Sequence, residues 1–265
     1  MNSFRSPGKV LRRLTLTPLA RRELRSWPRF MINYALGLVG EQPYIFRSGA
    51  RVQVGRGVDH ATIVEIFFRR DYGTIPAGSV VLDIGASIGA FTVYAATSAP
   101  DVRVYAYEPL PEFARLLHEN VRINGLSGAV TCVTAAVAGT ATPRDLVCGG
   151  HTILFPTLYA DGADRTATTV RVPCTTLADI LQVHQLARVH VVKMDCEGAE
   201  YEILYNTPAS CLEKLSEIRM EYHNLDGQTQ NIGAMTHFLQ DHRYDVTLAA
   251  PTTPTSGNLW ARRHD

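Results

Sequence analysis

Several absences narrow the reading before any motif is considered. Bulk charge is missing: 26 Lys and Arg against 25 Asp and Glu leave +1, so the chain lacks the basic excess by which a protein coats nucleic acid. Paired cysteines are missing too. The five, Cys132, Cys148, Cys174, Cys196 and Cys211, are odd in number, widely spread and without a C-x-x-C. That argues against a zinc site or redox pair and fits reduced thiols in a cytoplasmic protein. No long apolar run occurs. The longest, Phe30 to Val39, is interrupted by Asn33 and Gly37 and spans about 10 residues where a membrane helix needs about 20. With 29 residues ahead of it and no small-x-small cleavage site behind, it does not read as a secretory signal either. Internal repeats and low-complexity tracts are absent. Lysine is nearly so, three against 23 arginines, which makes the position of each lysine informative.

What remains is an ordinary globular composition, 46% hydrophobic and 19% charged over 265 residues, enough for one domain of α/β size with some elaboration. The charge is uneven. Residues 1–30 carry Arg5, Lys9, Arg12, Arg13, Arg21, Arg22, Arg25 and Arg29 against Glu23 alone, a net of +7 that leaves −6 elsewhere. From Pro18 to Leu38 apolar residues recur at helical spacing, with Pro28 as an interruption or restart. Such an arm reads as an accessory helix packed on the domain, or as an Arg-rich amphipathic contact with an anionic membrane surface. Tyr44 to Phe46 and Val52 to Val54 flank Ser48-Gly49 as a hairpin, and Ala61 to Phe68 reads as a short helix.

From Val80 a rhythm sets in. Strands over 80–84, 102–107, 130–137, 189–194 and 217–222 alternate with helices over 90–99, 111–124, 177–185, 199–205 and 232–241. Continuous apolar strands between helices imply a parallel sheet covered on both faces. Residues 245–248 and 258–261 read as an antiparallel closing hairpin, and residues 138–173, too long for a simple connection, as a β-rich insertion near the site. This divides the chain into an N-terminal arm, helix and hairpin over 1–60 and a cofactor-binding domain over 61–265.

Three segments carry chemistry. In Val81-Leu82-Asp83-Ile84-Gly85-Ala86-Ser87-Ile88-Gly89-Ala90-Phe91-Thr92 a buried strand ends in an acid and a tight glycine loop opens a helix. Gly85 and Gly89 allow positive φ and a close approach of backbone to ligand. A dinucleotide fingerprint needs G-x-G-x-x-G for its pyrophosphate; the spacing here is G-x-x-x-G, preceded by an acid. S-adenosylmethionine has no phosphate and carries a cationic sulfonium, so it suits this loop better than NAD. Glu108, 19 residues after Gly89 at the end of the next strand, can accept hydrogen bonds from both ribose hydroxyls.

The second segment is Val191-Val192-Lys193-Met194-Asp195-Cys196-Glu197-Gly198-Ala199-Glu200. A lysine in a buried strand needs a carboxylate partner, with Asp195, Glu197 or Glu221 available. Glu197 and Glu200, at a helix start, both face the cleft mouth on this reading and are the candidate acceptor contacts. The third is Glu217-Ile218-Arg219-Met220-Glu221-Tyr222-His223-Asn224. It puts Glu221 and His223 on one face at the carboxyl end of a strand, where open α/β sheets bind ligands. His223 is then the first candidate for general base, with a hydrogen-bonded structural histidine as the alternative. Asp195, Glu221 and His223 together allow a hard divalent ion but enforce no geometry for one, so no metal site is assigned.

These residues, with Tyr107-Glu108-Pro109, Asn120-Val121-x-x-Asn124-Gly125-Leu126 and Thr175-Thr176-Leu177-Ala178-Asp179, closely resemble the FkbM family of class I methyltransferases. Coverage runs from about Ile63 to His223, and the Lys-x-Asp-x-Glu-Gly-x-Glu order of 193–200 is specific. The resemblance implies a Rossmann-like, seven-stranded, mostly parallel sheet with a reversed final strand, S-adenosylmethionine as methyl donor, and O-methylation of a sugar, glycan or natural-product hydroxyl. On the same basis Asp83, Gly85, Gly89 and Glu108 fall on cofactor positions, with Ala86, Ser87, Thr92 and Pro109 beside them, and Asp195 falls next to the methyl-transfer cleft. One departure is Ser87, where the family often has Asn.

The expectation is a cytoplasmic O-methyltransferase acting on a small-molecule or glycan acceptor. His223 and then Asp195 are its candidate bases, and Glu221, Glu197 and Lys193 complete the reaction site. N-methylation of an amine and a catalytically silent scaffold are the rival readings. No nucleic-acid partner is expected; membrane contact through the basic arm and oligomer formation stay open.

Overall fold

The computed structural model describes residues 15–56, 59–148, 168–249 and 253–264. Two helices, α1 (Thr17–Glu23) and α2 (Trp27–Leu36), come first. Pro28 lies in the first turn of α2, where a missing N–H costs nothing, so it restarts the helix instead of kinking it. Strands β1 (Tyr44–Ile45) and β2 (Arg51–Val52) form the hairpin. Helix α3 (Asp59–Ile63) then widens into a π-helical turn over Val64–Arg69, where the sequence suggests one uniform helix. Widened turns of this kind are frequent at functional sites.

The rhythm from Val80 gives β3 (Val80–Ile84), α4 (Ala90–Ser98), β4 (Arg103–Tyr107), α5 (Pro111–Ile123) and β5 (Val130–Val133). The strand expected over 130–137 breaks after Val133. Its second part, β6 (Ala136–Val137), leaves the main sheet. Of the expected insertion, β7 (Arg144–Cys148) and β8 (Thr168–Val172) pair antiparallel, confirming β structure there; residues 149–167, like 1–14 of the basic arm, lie outside the described residues. β9 (Cys174–Thr175) pairs in parallel with β6. Thr176 and Asp179 form a reciprocal capping box that starts α6 (Leu177–Val183).

The remaining elements are β10 (Val191–Met194), α7 (Glu200–Tyr205), a short α8 (Ala209–Leu212) that the sequence did not suggest, β11 (Glu217–His223), α9 (Ile232–Asp241), β12 (Tyr244–Leu248) and β13 (Ser256–Arg263).

Seven strands form one sheet in the order β12-β13-β11-β10-β3-β4-β5, and only β13 runs against its neighbours. This is the mostly parallel, Rossmann-like α/β sheet with one reversed strand that the resemblance implies. Successive residues face opposite layers: Val81 and Val191 join the cluster that includes Phe91 and Leu117, while Leu82 and Val192 join the one that includes Leu181, Ile203 and Met235. Strands buried on both faces are therefore continuously apolar. The N-terminal extension shares the first cluster through Leu24, Phe30 and Phe46. Asn120 on α5 and Asn124, which caps its C-terminal end, also fasten it. Asn120 exchanges bonds with the Gln53 backbone at 2.6 and 2.9 Å and donates to the Ile88 carbonyl at 2.7 Å, and Asn124 holds Arg51 in the same way. The strand order reverses between β3 and β10, so a crevice opens at their carboxyl ends.

Candidate active site

The loop after β3 is shaped by close approaches. Gly85 has φ 72°, and a Cβ there would sit 2.0 Å from the Asp195 carbonyl oxygen; Gly89 has φ 80° and packs on Leu117. Ser87 also lies in the left-handed region, at φ 50°. Asparagine tolerates that region better than most residues, which gives a physical reason for the family's usual Asn. The N–H groups of Gly85 and Ala86 donate to the Tyr107 carbonyl, tying the loop to the end of β4. Glu108 completes the tie: its carboxylate accepts the Ser87 N–H at 2.7 Å and the Leu110 N–H at 2.9 Å. Burial pushes its carboxyl up to about 7, with those two bonds opposing.

A cavity of about 340 Å³ opens above this loop. Toward β4 and β5 it is apolar, lined by Phe113, Ala136, Val137 and Leu146; Gly85, Ala86, Ser87, Glu108 and Pro109 lie between; toward β10 and β11 it is acidic. Glycines without room for a side chain, an apolar slot and a carboxylate with spare lone pairs fit an adenosine moiety.

At the acidic end, Lys193 stands in register with Asp83 across the β3–β10 pair, on the same side of the sheet. Its ammonium donates to the Gly85 carbonyl at 2.7 Å and lies 3.5 Å from Asp83 Oδ1 and 3.9 Å from Asp195 Oδ2. Burial alone would lower its pKa; the Asp83 and Asp195 charges outweigh it and keep the lysine charged. Asp83 is fully buried and accepts the Thr92 hydroxyl at 2.5 Å. Asp195 faces the cavity, with the Tyr72 hydroxyl 3.4 Å from its Oδ2. Arg219 anchors the Tyr72 segment by donating to the Tyr72 and Thr74 carbonyls. Glu197 and Glu221 also line this end, raised to about 8 and about 7 by burial and by the Asp195 charge, with His223 opposing. His223 lies 3.5 Å from Glu197 and 3.4 Å from Glu200. Burial would lower its pKa, but the nearby Glu200, with Glu197 and Asp195, raises it to about 10.

The family model described as Methyltransferase FkbM domain matches residues 83–246, which takes in the loop, the acidic end and the strands between them. The chain belongs to the FkbM methyltransferase family. Among curated relatives, the methyltransferase sdnD of Sordaria araneosa is 27% identical over 204 residues, covering 67% of this chain and 78% of its own length. The 31-O-demethyl-FK506 methyltransferase FkbM of Streptomyces tacrolimicus is 24% identical over 194 residues, with 64% and 74% covered. The AMB antimetabolite synthetase AmbE of Pseudomonas aeruginosa is 28% identical over 219 residues; the match covers 70% of this chain but only 10% of that much longer protein. This FkbM chain is thus an S-adenosylmethionine-dependent methyltransferase. No described helix is long and apolar enough to cross a membrane.

The structure sorts the residues expected in the FkbM site. Gly85, Ala86, Ser87, Glu108, Pro109, Lys193, Asp195, Glu197, Glu221 and His223 line the cavity together. Asp83, Gly89 and Thr92 do not: Asp83 is sealed beneath the loop on Lys193 and Thr92, so it supports the wall rather than forming it. The nearest carboxylate to Lys193 is Asp83, not Asp195, Glu197 or Glu221, because strand register rather than sequence proximity pairs them. Glu200 is a correction as well. It is fully buried and accepts the Cys196 and Gly198 N–H groups at 2.8 and 2.9 Å, clamping the turn that carries Glu197 at φ 52° instead of reaching an acceptor. His223, the first candidate for general base, lies between Glu197 and Glu200, and their negative charge favours its protonated form. Asp195, Glu197 and His223 have donor atoms within 4.8 Å of one another and could hold a divalent ion, which requires the neutral form of the histidine. Among the site residues that went unnoticed in the sequence are Glu65 on the π-helical turn and Tyr72 after it. The signal for Glu65 was present: one acid inside the apolar run Ile63 to Phe68.

Proposed function

We propose that this methyltransferase transfers the methyl group of S-adenosylmethionine to a hydroxyl oxygen of an uncharged natural-product, sugar or glycan acceptor. One observation carries the reading. The acceptor end of the cavity presents Glu65, Asp195, Glu197 and Glu221, while its two cations are engaged, Lys193 with Asp83 and the Gly85 carbonyl, and His223 with Glu197 and Glu200. A carboxylate or phosphate on the acceptor would add negative charge to a cluster in which burial and the Asp195 charge already push Glu65, Glu197 and Glu221 up to about 7, 8 and 7, whereas hydroxyls find several hydrogen-bonding partners. The relative from Streptomyces tacrolimicus, by its name, methylates an oxygen of a natural product, which supports the same chemistry.

S-adenosylmethionine, when bound, supplies an electrophilic methyl carbon with a good leaving group, so the protein's task is to align, shield and accept one proton. Glu108 is suited to the ribose hydroxyls, and Phe113 and Leu146 to the adenine. Asp195, steadied by Tyr72 and Lys193, orients the acceptor hydroxyl. Glu221 takes its proton: among the described residues no donor hydrogen-bonds to it, and a carboxyl raised to about 7 is a stronger base than an ordinary one. The described part of the insertion over 138–173 reaches the cavity at its adenine end, through Leu146. The test is transfer of labelled methyl to a panel of hydroxylated, amine-bearing and acidic acceptors. An O-methyl product is expected, with Glu221→Gln lowering kcat by about 10²–10⁴-fold at unchanged cofactor affinity. An N-methyl product would move the reading to amines, and unchanged turnover would remove Glu221 from the reaction.

A further inference from the structure

Helix α2 turns apolar side chains to solvent as well as to the core. Its polar side chains are used inward: the Asn33 amide donates to the Tyr44 hydroxyl at 2.9 Å, that hydroxyl bonds His60 Nε2 at 2.7 Å, and Arg29 donates to the Pro43 carbonyl. Phe30 and Met31 are buried beside them. The exposed positions are Pro28, Ile32 and Leu36, a single stripe at four-residue spacing, and the turn that follows adds Leu38 and Val39. Ile32 and Leu36 are 57% and 55% exposed, Leu38 and Val39 each 48%. A surface helix ordinarily turns charge to solvent there.

The surroundings say what would cover this stripe. Residues 15–56 hold seven arginines against Glu23 and Glu41. Arg21, Arg22, Arg25 and Arg47 are all exposed, and Arg47 is fixed beside α1 by its bond to the Arg21 carbonyl at 3.0 Å. Glu23 is shared by Arg22 and Arg70, and among the described residues no carboxylate pairs with Arg21, Arg25 or Arg47. The segment ahead of α1 adds Arg5, Lys9, Arg12 and Arg13. A second copy of this chain would bring the same positive charge to the face and be repelled. Exposed aliphatic side chains on an arginine-rich N-terminal extension match the layered chemistry of a lipid interface, hydrocarbon beneath anionic headgroups.

We propose that α2 and its flanking arginines dock the enzyme on an anionic phospholipid surface, with Ile32, Leu36, Leu38 and Val39 entering the headgroup boundary. This goes beyond the methyl-transfer reading and does not depend on it. The test is co-sedimentation of the purified full chain with phosphatidylcholine vesicles, with and without phosphatidylglycerol, at low and high salt. Binding is expected only to the anionic vesicles and is weakened by salt. Ile32→Ser/Leu36→Ser and Arg21→Glu/Arg25→Glu should each reduce partitioning by about tenfold or more, while melting and S-adenosylhomocysteine affinity, read on the same proteins, stay at wild-type values. Failure of the folded wild type to sediment with anionic vesicles, or equal sedimentation of both double variants, would overturn the proposal. So would a wild-type dimer that Ile32→Ser/Leu36→Ser makes monomeric, or retention on a polyglutamate matrix without vesicle binding, which would assign the face to a second copy or to an acidic protein.

Discussion

The protonation state of His223 decides which group can act as base, and it can be measured directly. The imidazole, 21% exposed, lies 3.5 Å from Glu197 and 3.4 Å from Glu200, and Glu200 is itself fully buried. Raising a histidine from 6.5 to about 10 corresponds to about 5 kcal/mol of preference for the charged ring. An opposite charge within about 4–6 Å shifts a pKa by about 1–3 units, so Glu200→Gln should bring the midpoint down by roughly one to three pH units. The assay is NMR titration of the His223 ring protons in both proteins. In the wild type they should stay at the imidazolium position through neutral pH. The sign for stability follows. His223 favours the fold fully below 6.5, and that contribution fades as pH rises through about 10. Glu197 and Glu221, held at about 8 and about 7, also bind protons more tightly in the native state, so they too lower stability as pH rises above the ordinary carboxyl range. Unfolding free energy should therefore decline between neutral and pH 10, less steeply in His223→Gln. A wild-type midpoint near 6.5 would refute the reasoning and return the base role to His223.

Two further outcomes follow from the loop beneath the cavity. Gly85→Ala places a methyl 2.0 Å from the Asp195 carbonyl at φ 72°. The left-handed backbone alone costs about 1–2 kcal/mol and the strand end must move, so melting temperature and S-adenosylhomocysteine affinity should both fall. A variant with neither change would show that the two strand ends are not in contact. Lys193→Met strands the fully buried Asp83 and should cost about 3–5 kcal/mol in urea unfolding, with part recovered on adding Asp83→Asn; additive losses would mean the two do not pair.

Why some of this was legible in the sequence and some was not has a physical basis. Strands β3 and β10 are buried at every position and mostly apolar, β4 is apolar after Arg103, β11 alternates charged and apolar residues, and the ends of the four are marked by Gly85, Glu108, Asp195 and His223. The glycine loop was legible because close backbone approach leaves no substitute for glycine at 85. Partner choice was not. The Lys193–Asp83 pair depends on the register of strands more than 100 residues apart, and Glu200 resembles Glu197 in sequence although one clamps a turn and the other faces the cavity. Glu65 and Tyr72 lie ahead of the first core strand, in a segment whose apolar pattern gives no hint that a π-helical turn brings it over the strand ends. The break after Val133 was hidden because Ala135, Ala136 and Val137 continue the apolar run that β5 begins.

The central claim is that the cofactor lies between the glycine loop and Glu108. Calorimetric titration with S-adenosylhomocysteine tests it most directly, on the wild type, Glu108→Gln and Glu108→Ala. Single-site binding is predicted for the wild type, weaker in Glu108→Gln and weaker still, by about tenfold or more, in Glu108→Ala, as loss of a charged hydrogen-bond acceptor requires. A folded wild type that does not bind, or a Glu108→Ala variant that binds equally well, would contradict the account.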